Sequence, residues 1–261
     1  MKTNKPVTHF VDKYLLAPTN PLSVTLIGAG GTGSKVLTEL GRINYSLNQL
    51  GHPGLFVKVY DDDIITSANC GRQNFARSEI GLPKAAALIN RINRFYGTNW
   101  KAFQQKIATT NQINFGNIII SCVDTSKARF DLASMLSKSK KSNHRDRPIY
   151  WLDFGNSRFT GQVILATVSK IEQPKSSKFK TVSNLPFITE EYKTLLIQAD
   201  DLNEPSCSLE EALNKQDLFI NSSLASLGGS LLWSLFREGM TSYRGFFINL
   251  KTFSTNPIPI S

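Results

Sequence analysis

A glycine-rich turn between a predicted strand and a predicted helix constrains this chain more than any other feature. The run Leu22–Ile27 is apolar and β-branched, which predicts a buried strand, and apolar residues three and four apart predict a helix over 34–49. Between them, residues 28–34 read Gly-Ala-Gly-Gly-Thr-Gly-Ser, a GxGxxG pattern in the strand-to-helix context that the motif requires. Glycine lets backbone N–H groups approach a phosphate, and a helix N-terminus favours negative charge. A phosphate cradle is therefore predicted, with a flexible turn as the alternative. Its glycines are Gly28, Gly30, Gly31 and Gly33.

The rest of the chain continues the alternation of strands and helices. Apolar runs predict strands at 55–60, 117–122, 149–154, 161–168 and 245–250, and helical spacing predicts helices at 84–95, 127–137 and about 224–239. Strands that alternate with helices imply a mainly parallel sheet with helices on its faces, so the predicted fold class is α/β. A hairpin across 155–160 and a long crossing loop over about 170–205, which contains three prolines, complete the expected fold.

Composition limits the class of protein and its partners. The 261 residues fit one domain over 1–261, with a nucleotide-binding half at about 20–137 and a C-terminal part at about 148–254. A net charge of +10 favours nucleotides, nucleic acid or an acidic protein as partners. Three cysteines without a CxxC pair predict no zinc site and favour a reducing cytoplasm. A polar start, without an apolar run of about 20 residues, predicts a cytoplasmic protein with no membrane span.

Two carboxylates follow the second predicted strand. Asp61 lies 28 residues after Gly33, where a carboxylate in a Rossmann-like fold accepts hydrogen bonds from ribose hydroxyls. Asp63 is placed to support the same pocket. A solvated turn is the alternative, and up to this point an NAD-linked dehydrogenase fits equally well.

The residues that follow resemble a family signature. The segment reads Asp61-x-Asp63-x-Ile65-x-x-Ala68-Asn69-Cys70-x-Arg72-Gln73, followed by Gly81-Leu82-Pro83-Lys84. It resembles the DxDxVxxSNLxRQ…GxxK signature of ThiF/MoeB-type adenylyltransferases, the superfamily of ubiquitin-activating enzymes. The resemblance implies that Asn69 and Gln73 orient an ATP triphosphate while Arg72 and Lys84 neutralise it. A solvated basic helix start is the alternative.

A third carboxylate follows the next strand. Residues 121–125, Ser-Cys-Val-Asp-Thr, resemble the family's D-C-x-D-N segment, whose second Asp is associated with Mg²⁺. Asp124 falls on that position, and a carboxylate that holds Mg²⁺ between phosphates is chemically reasonable. A plain helix N-cap role for Asp124 is the alternative.

Cys207 is a candidate for a later chemical step. It follows the crossing loop, where relatives place a reactive cysteine, and directly precedes a capping-box pattern at 208–211. A position just before a helix lowers a thiol pKa, so Cys207 could take an acyl group as a thioester or join a persulfide relay. An inert loop cysteine is the equal alternative.

A narrower resemblance, to the ThiF family proteins of PRTRC systems, gene sets of bacterial mobile elements, rests on chain length, the Pro-Ser-Cys-Ser start at 205–208 and the run 216–221. The arginine that relatives often carry near the N-terminus has no counterpart before Arg42, and Lys13 is the available substitute. The missing CxxC pairs place the chain among zinc-free members.

The resemblance implies a function and leaves two alternatives. The implied activity is ATP- and Mg²⁺-dependent adenylylation of the C-terminal carboxylate of a small ubiquitin-like or sulfur-carrier protein, by a homodimer. An NAD(P)-dependent oxidoreductase shares the glycine loop and the strand-end carboxylate, and a catalytically degenerate scaffold would keep only the fold. The basic loop 138–147 could touch nucleic acid, but a solvated loop is favoured, and His9, His52 and His144 are predicted to be solvated.

Overall fold

The computed structural model describes residues 5–107, 113–139, 145–200 and 216–261. Its strands are β1 (Val7–Phe10), β2 (Leu22–Ile27), β3 (Leu55–Tyr60), β4 (Lys101–Phe103), β5 (Ile118–Ser121), β6 (Tyr150–Asn156), β7 (Thr160–Thr167), β8 (Lys180–Thr181), β9 (Met240–Thr241), β10 (Tyr243–Asn249) and β11 (Ser254–Pro259). Its helices are α1 (Lys13–Leu16), α2 (Gly31–Gln49), α3 (Lys84–Tyr96), α4 (Ser126–Ser139), α5 (Ile188–Glu191), α6 (Lys193–Asp200) and α7 (Ile220–Glu238), with 3-10 turns at Ser67–Asn69 and Arg77–Glu79.

The central sheet has two parts that differ in strand direction. Its order is β11-β10-β7-β6-β5-β2-β3-β4. The five strands from β6 to β4 are parallel, and β7, β10 and β11 extend the sheet with antiparallel pairing. A smaller sheet of order β8-β1-β9 lies beside it. The carboxyl ends of β2, β3 and β5 therefore meet at one edge, which is the usual place for a ligand in an open α/β sheet.

Helices cover both faces of the sheet, as the alternating pattern predicts. Ile118 and Ile120 of β5 pack in one apolar core with α2, α3 and α7, whereas Ile119 packs in a second core with α4, α5 and α6. Because side chains alternate along a strand, such a continuous apolar run is typical of a strand buried on both faces. The predicted α/β fold class with a mainly parallel central sheet is confirmed.

Several predicted elements need correction. The crossing loop over 170–205 contains β8, α5 and α6 within its described part, and the glycine turn is shorter because α2 begins at Gly31. Pro257 and Pro259, which the sequence places in a tail, instead belong to the edge strand β11, where a missing N–H is tolerated because it faces away from the neighbouring strand. Neither the short strand β1 nor the short strand β4 is predicted by the sequence pattern.

The predicted solvation of the histidines is also wrong where the structure describes them. The ring of His9 is fully buried. His52 is half-buried, and its Nε2 lies 3.0 Å from the carbonyl oxygen of Leu15. His144 lies outside the described residues. Within those residues, no helix combines the length and apolar character that a membrane crossing needs.

Candidate nucleotide-binding site

The glycine loop turns tightly and keeps one open face. Gly28 has φ +88°, and a Cβ there would lie 2.5 Å from the carbonyl oxygen of Cys122. A Cβ on Gly33 would lie 1.9 Å from the carbonyl oxygen of Gly28, so neither position accepts a side chain. A Cβ on Gly30, in contrast, would meet no atom within 4 Å. Since Gly30 caps α2, whose first N–H groups have no partner within the helix, the open face suits an anion.

Asp61 fixes this loop from the end of β3. Its Oδ2 accepts the N–H of Ala29 at 2.6 Å, and its Oδ1 accepts the N–H of Asp63 at 3.0 Å. Burial raises the pKa of Asp61, and these two N–H groups together with the charge of Lys84 partly oppose that rise. Each carboxylate oxygen can accept a second hydrogen bond, so capacity for ribose hydroxyls remains.

Asp63 forms an ion pair with Lys84. Lys84 is the first residue of α3, its side chain is only 8% exposed, and its Nζ lies 2.7 Å from Asp63 Oδ2. The backbone of Lys84 also donates to the carbonyl oxygen of Asp63, at 3.0 Å. This double contact brings a cation from the chain segment after 80 to the end of β3, where Asp61 lies.

Arg72 and Asn69 lie in the loop that carries the 3-10 turn Ser67–Asn69. Asn69 Oδ1 accepts the N–H of Thr66 at 2.9 Å and its hydroxyl at 3.1 Å, so this oxygen shapes the turn. The Arg72 guanidinium donates through Nη1 to Gln216 Oε1. Burial lowers the pKa of Arg72, while the nearby charge of Asp124 opposes that change. The charge of Asp124 is therefore felt at Arg72, although the two residues come from different segments.

Asp124 is exposed in the turn between β5 and α4. A buried ion pair lies behind that turn: Arg129 Nε is 3.0 Å from Asp153 Oδ2, and Ser121 Oγ donates to Asp153 Oδ1 at 2.5 Å. Arg129 Nη2 also donates to the carbonyl oxygen of Phe154 at 3.0 Å. No group of three or more metal-ligating side chains is found among the described residues. A single carboxylate such as Asp124 suits a Mg²⁺ ion whose other ligands are phosphate oxygens and water.

Unpaired buried polar atoms concentrate at this edge of the sheet. In the described part of the chain, four buried side-chain atoms have no hydrogen-bond partner: Ser23 Oγ, Arg72 Nε, Gln73 Oε1 and Asn156 Nδ2. Three of these four belong to residues at the carboxyl ends of the strands or in the loops that follow them. Because buried polar groups are normally paired, unpaired ones beside an open glycine loop fit a polar ligand.

The comparison with protein-family models decides the family. The model of the ThiF family matches residues 12–253. The chain belongs to the ThiF family. No curated protein matches it.

Solved structures show the same fold as this ThiF-family chain. PaaA matches with a TM-score of 0.55 at 13% identity, over 92% of this chain and 64% of PaaA. Escherichia coli MccB, in a structure with succinimide, matches with a TM-score of 0.58 at 14% identity, over 91% of this chain and 63% of MccB. MccB in a structure with MccA matches with a TM-score of 0.57 at 14% identity, over 95% of this chain and 65% of MccB. The ThiF-family chain thus spans less than two thirds of each.

Four side-chain contacts near the glycine loop escape prediction from the sequence of this ThiF-family chain. Phe103 at the end of β4 stacks on Tyr60 at the end of β3, with ring centroids 4.7 Å apart and planes 9° apart. Lys35 Nζ, on α2, donates to Asn74 Oδ1 at 3.1 Å. Gln216 and Asn221 approach from the segment before α7 and from its first turn. A three-residue strand gives no period-2 signal, and contacts between segments far apart in the chain leave no local pattern.

The described residues include Cys70 and Cys122 but not Cys207. Cys122 packs beside the glycine loop, and burial raises its pKa well above the usual value, which disfavours a nucleophilic thiolate. Cys207, the predicted acyl acceptor, lies outside the described residues, as do the capping-box pattern at 208–211 and residues 140–144 of the basic loop.

Proposed function

We propose that this ThiF-family chain binds ATP and adenylylates the C-terminal carboxylate of a small ubiquitin-like or sulfur-carrier protein. The observation that carries the proposal is the convergence of an open glycine loop with Arg72 and Lys84 at one edge of a parallel sheet. Two cations beside an N-terminal helix end can neutralise part of the charge of a triphosphate. The likeness to MccB, whose structure with MccA is a complex with another polypeptide, supports a small polypeptide partner.

The reaction needs positioning and charge neutralisation more than covalent help. An oxygen of the partner's C-terminal carboxylate attacks the α-phosphorus in line, forming an acyl-adenylate as the bond to the bridging oxygen breaks and pyrophosphate leaves. The glycine loop holds phosphate oxygens through backbone N–H groups, and Asp61 accepts from the ribose. Arg72 and Lys84 neutralise the charge that accumulates on the departing pyrophosphate. Mg²⁺, which Asp124 would help to hold, supplies further neutralisation of the phosphates.

The stacked rings of Tyr60 and Phe103 extend the proposed site beyond the ribose. Phe103 is 37% exposed and lies next to Asp61, whose N–H donates to the Phe103 carbonyl oxygen at 3.1 Å. In a nucleotide held by its phosphates at the glycine loop and by its ribose at Asp61, the base extends past the end of β3. An exposed aromatic edge there favours a flat adenine ring.

Cation placement separates this proposal from the two alternatives. An NAD(P)-dependent oxidoreductase requires the glycine loop and Asp61, but it gives no task to Arg72, Lys84 and Asp124 together. A scaffold without catalysis requires none of them and leaves the unpaired Arg72 Nε unexplained. A homodimer, a cytoplasmic location, the PRTRC branch and acyl transfer to Cys207 stay predictions from the sequence.

Calorimetric titration tests the nucleotide first. ATP and NAD are titrated separately into the wild-type chain, with and without Mg²⁺. We expect Mg²⁺-dependent ATP binding that weakens about 100-fold in Arg72→Ala or Lys84→Ala, since each removes a charged phosphate contact. Lys127→Ala is the matched control, because Lys127 is 81% exposed on α4, where it pairs with Asp131. Binding of NAD without ATP contradicts the proposal and favours the oxidoreductase.

A further inference from the structure

Two side-chain amides connect three segments of the candidate site. Asn221, in the first turn of α7, is 1% exposed; its Oδ1 accepts the Thr32 hydroxyl at 2.7 Å. Its Nδ2 donates to Gln216 Oε1 at 3.0 Å, and the same oxygen accepts Nη1 of Arg72. We name Thr32, Asn221, Gln216 and Arg72 the amide relay. It runs without a gap from the glycine-loop end of α2 to the guanidinium.

Packing leaves the relay little freedom to move. A Cβ on Gly31 would lie 2.7 Å from Asn221 Nδ2, so the glycine loop and Asn221 are in close contact. The single amide oxygen of Gln216 accepts two donors at once, which fixes the orientation of its side chain. The side chain of Arg72 has several rotatable bonds, and a hydrogen-bond acceptor held in this way restricts its conformations.

The charge of the acceptor matters as much as its position. Gln216 is neutral, so it occupies one N–H of Arg72 without cancelling the guanidinium charge, and Arg72 Nε stays without a partner. A carboxylate at the same place would pair with Arg72 and offset the charge that a phosphate needs. An amide therefore orients the arginine without adding a second negative charge to that of the nearby Asp124.

We propose that Gln216 is a positioning residue that aims the Arg72 guanidinium at the anion of the glycine loop, with Asn221 setting the distance between them. The inference rests on the proposed function, since ATP is the anion. Gln216 acts through Arg72 and touches no reacting atom. It makes Gln216, which lies four residues before α7 begins, part of the phosphate site, although 144 residues separate it from Arg72.

A double-mutant cycle on ATP binding tests the coupling. Gln216→Ala is expected to raise the calorimetric Kd for ATP about tenfold, and Arg72→Ala to raise it further. The double variant should then match Arg72→Ala, because a residue that acts only through Arg72 has no effect once Arg72 is gone. Losses that multiply, or an unchanged Kd in Gln216→Ala, overturn the inference. Gln216→Glu should also weaken ATP binding, whereas a purely structural acceptor would tolerate that change.

Chemical labelling tests the relay without nucleotide. The rate at which phenylglyoxal modifies Arg72, followed by mass spectrometry, should rise several-fold in Gln216→Ala, since the guanidinium loses its fixed acceptor. An unchanged rate overturns the coupling whether or not ATP binds. A wild-type chain that binds no ATP, with the labelling rate raised as expected, contradicts the proposed function and the aim of Arg72 at ATP, but supports the contact itself.

Gln173→Ala is the matched control for both measurements. Gln173 also bridges two groups, accepting the N–H of Phe10 at 2.8 Å and donating to its carbonyl oxygen at 2.9 Å, but it does so beside β1. Its removal should lower the melting temperature without changing the Kd for ATP or the labelling of Arg72. A change in either quantity in Gln173→Ala would mean that general loosening explains the Gln216 result.

Discussion

Two regions of the molecule bury polar side chains, and they differ in whether the buried polar atoms have hydrogen-bond partners. At the carboxyl edge of the parallel strands, Arg72 Nε, Gln73 Oε1 and Asn156 Nδ2 lack partners. At the corner where β1 meets β6, the buried ring of His9 is paired through both nitrogens: Nδ1 lies 2.7 Å from the carbonyl oxygen of Val182, and Nε2 lies 2.8 Å from the Tyr150 hydroxyl. The fully paired His9 has no hydrogen bond left for a ligand, whereas the unpaired atoms at the carboxyl edge leave hydrogen bonds that a ligand can make.

The hydrogen bonds at the β1 corner also fix the proton on His9. A carbonyl oxygen only accepts, so Nδ1 carries the hydrogen and Nε2 accepts from the Tyr150 O–H. The hydroxyl oxygen of Tyr150 accepts in turn from the N–H of Asp12 at 3.1 Å. A neutral imidazole satisfies this network, in agreement with burial, which lowers the pKa of His9. The region is complete without any added molecule.

The largest expected effect tests whether a buried polar side chain stabilises the fold because its hydrogen bonds are satisfied, whatever its position in the sheet. Arg129 lies near the carboxyl edge, yet Asp153 and backbone oxygens satisfy it, so it should serve the fold. Arg129→Met leaves the carboxylate of Asp153 buried without a counter-charge and should cost about 3–5 kcal/mol of unfolding free energy. Denaturant titration measures that loss.

Arg72→Met is the counterpart of that variant. It removes an arginine with an unpaired nitrogen, so we expect a small loss of stability and a large loss of ATP affinity. Adding Asp153→Asn to Arg129→Met should restore part of the lost stability, because the uncompensated charge disappears. Equal stability losses in the two single arginine variants would contradict the distinction between paired and unpaired groups.

The next effect concerns the carboxylate at the ligand edge. Asp124 is exposed, so Asp124→Ala should leave the melting temperature almost unchanged. It should nevertheless remove most of the gain in ATP affinity that Mg²⁺ provides, because the side chain would hold the ion against the phosphates. Calorimetry at zero and saturating Mg²⁺ measures that gain. Asp131→Ala, which removes a carboxylate paired with Lys127 on α4, is the control and should keep it.

A smaller effect concerns the aromatic edge. Phe103→Ala removes the exposed ring of the Tyr60–Phe103 stack and should weaken ATP binding about tenfold, which corresponds to ~1.4 kcal/mol of base stacking. The affinity for tripolyphosphate, which has no base, should not change. Phe95→Ala removes a ring that is 79% exposed on α3 and should change neither affinity. Loss of tripolyphosphate binding in Phe103→Ala would show that the ring only supports the fold.

The sequence predicts more of the carboxyl edge of the parallel strands than of the β1 corner. The glycine loop, Asp61 and the strands β2 and β3 follow from local patterns, because buried parallel strands and a strand–turn–helix phosphate loop have strong periodic and compositional signals. The cluster around His9 depends on pairing between segments that are 141 residues apart. No local rule reports such pairing, so a buried histidine in a four-residue strand looks like a loop residue.

The same limit applies within the ligand edge. The sequence places Asp63 beside the ribose pocket, but only the structure shows that it pairs with Lys84. The acceptor of Arg72 is missed because Gln216 comes from the far end of the chain. Edge strand β11 is missed for another reason, since its prolines favour a loop in any local reading. Local signals thus point to a candidate site, and long-range contacts arrange the side chains there.

The smallest expected effect is a pH dependence of stability at the β1 corner. Burial lowers the pKa of His9 below its usual 6.5, so below that pH the unfolded chain binds a proton that the folded chain does not. Stability at this site is therefore complete above about pH 6.5 and falls as the pH falls, by at most about 1.4 kcal/mol per pH unit. His9→Asn keeps a donor for the Val182 carbonyl but does not titrate. The difference in unfolding free energy between wild type and His9→Asn should consequently shrink from pH 8 to pH 5. Parallel pH profiles would mean that the pKa of His9 is the same in the folded and the unfolded chain. That result would contradict the conclusion that the β1 corner excludes a charged imidazole.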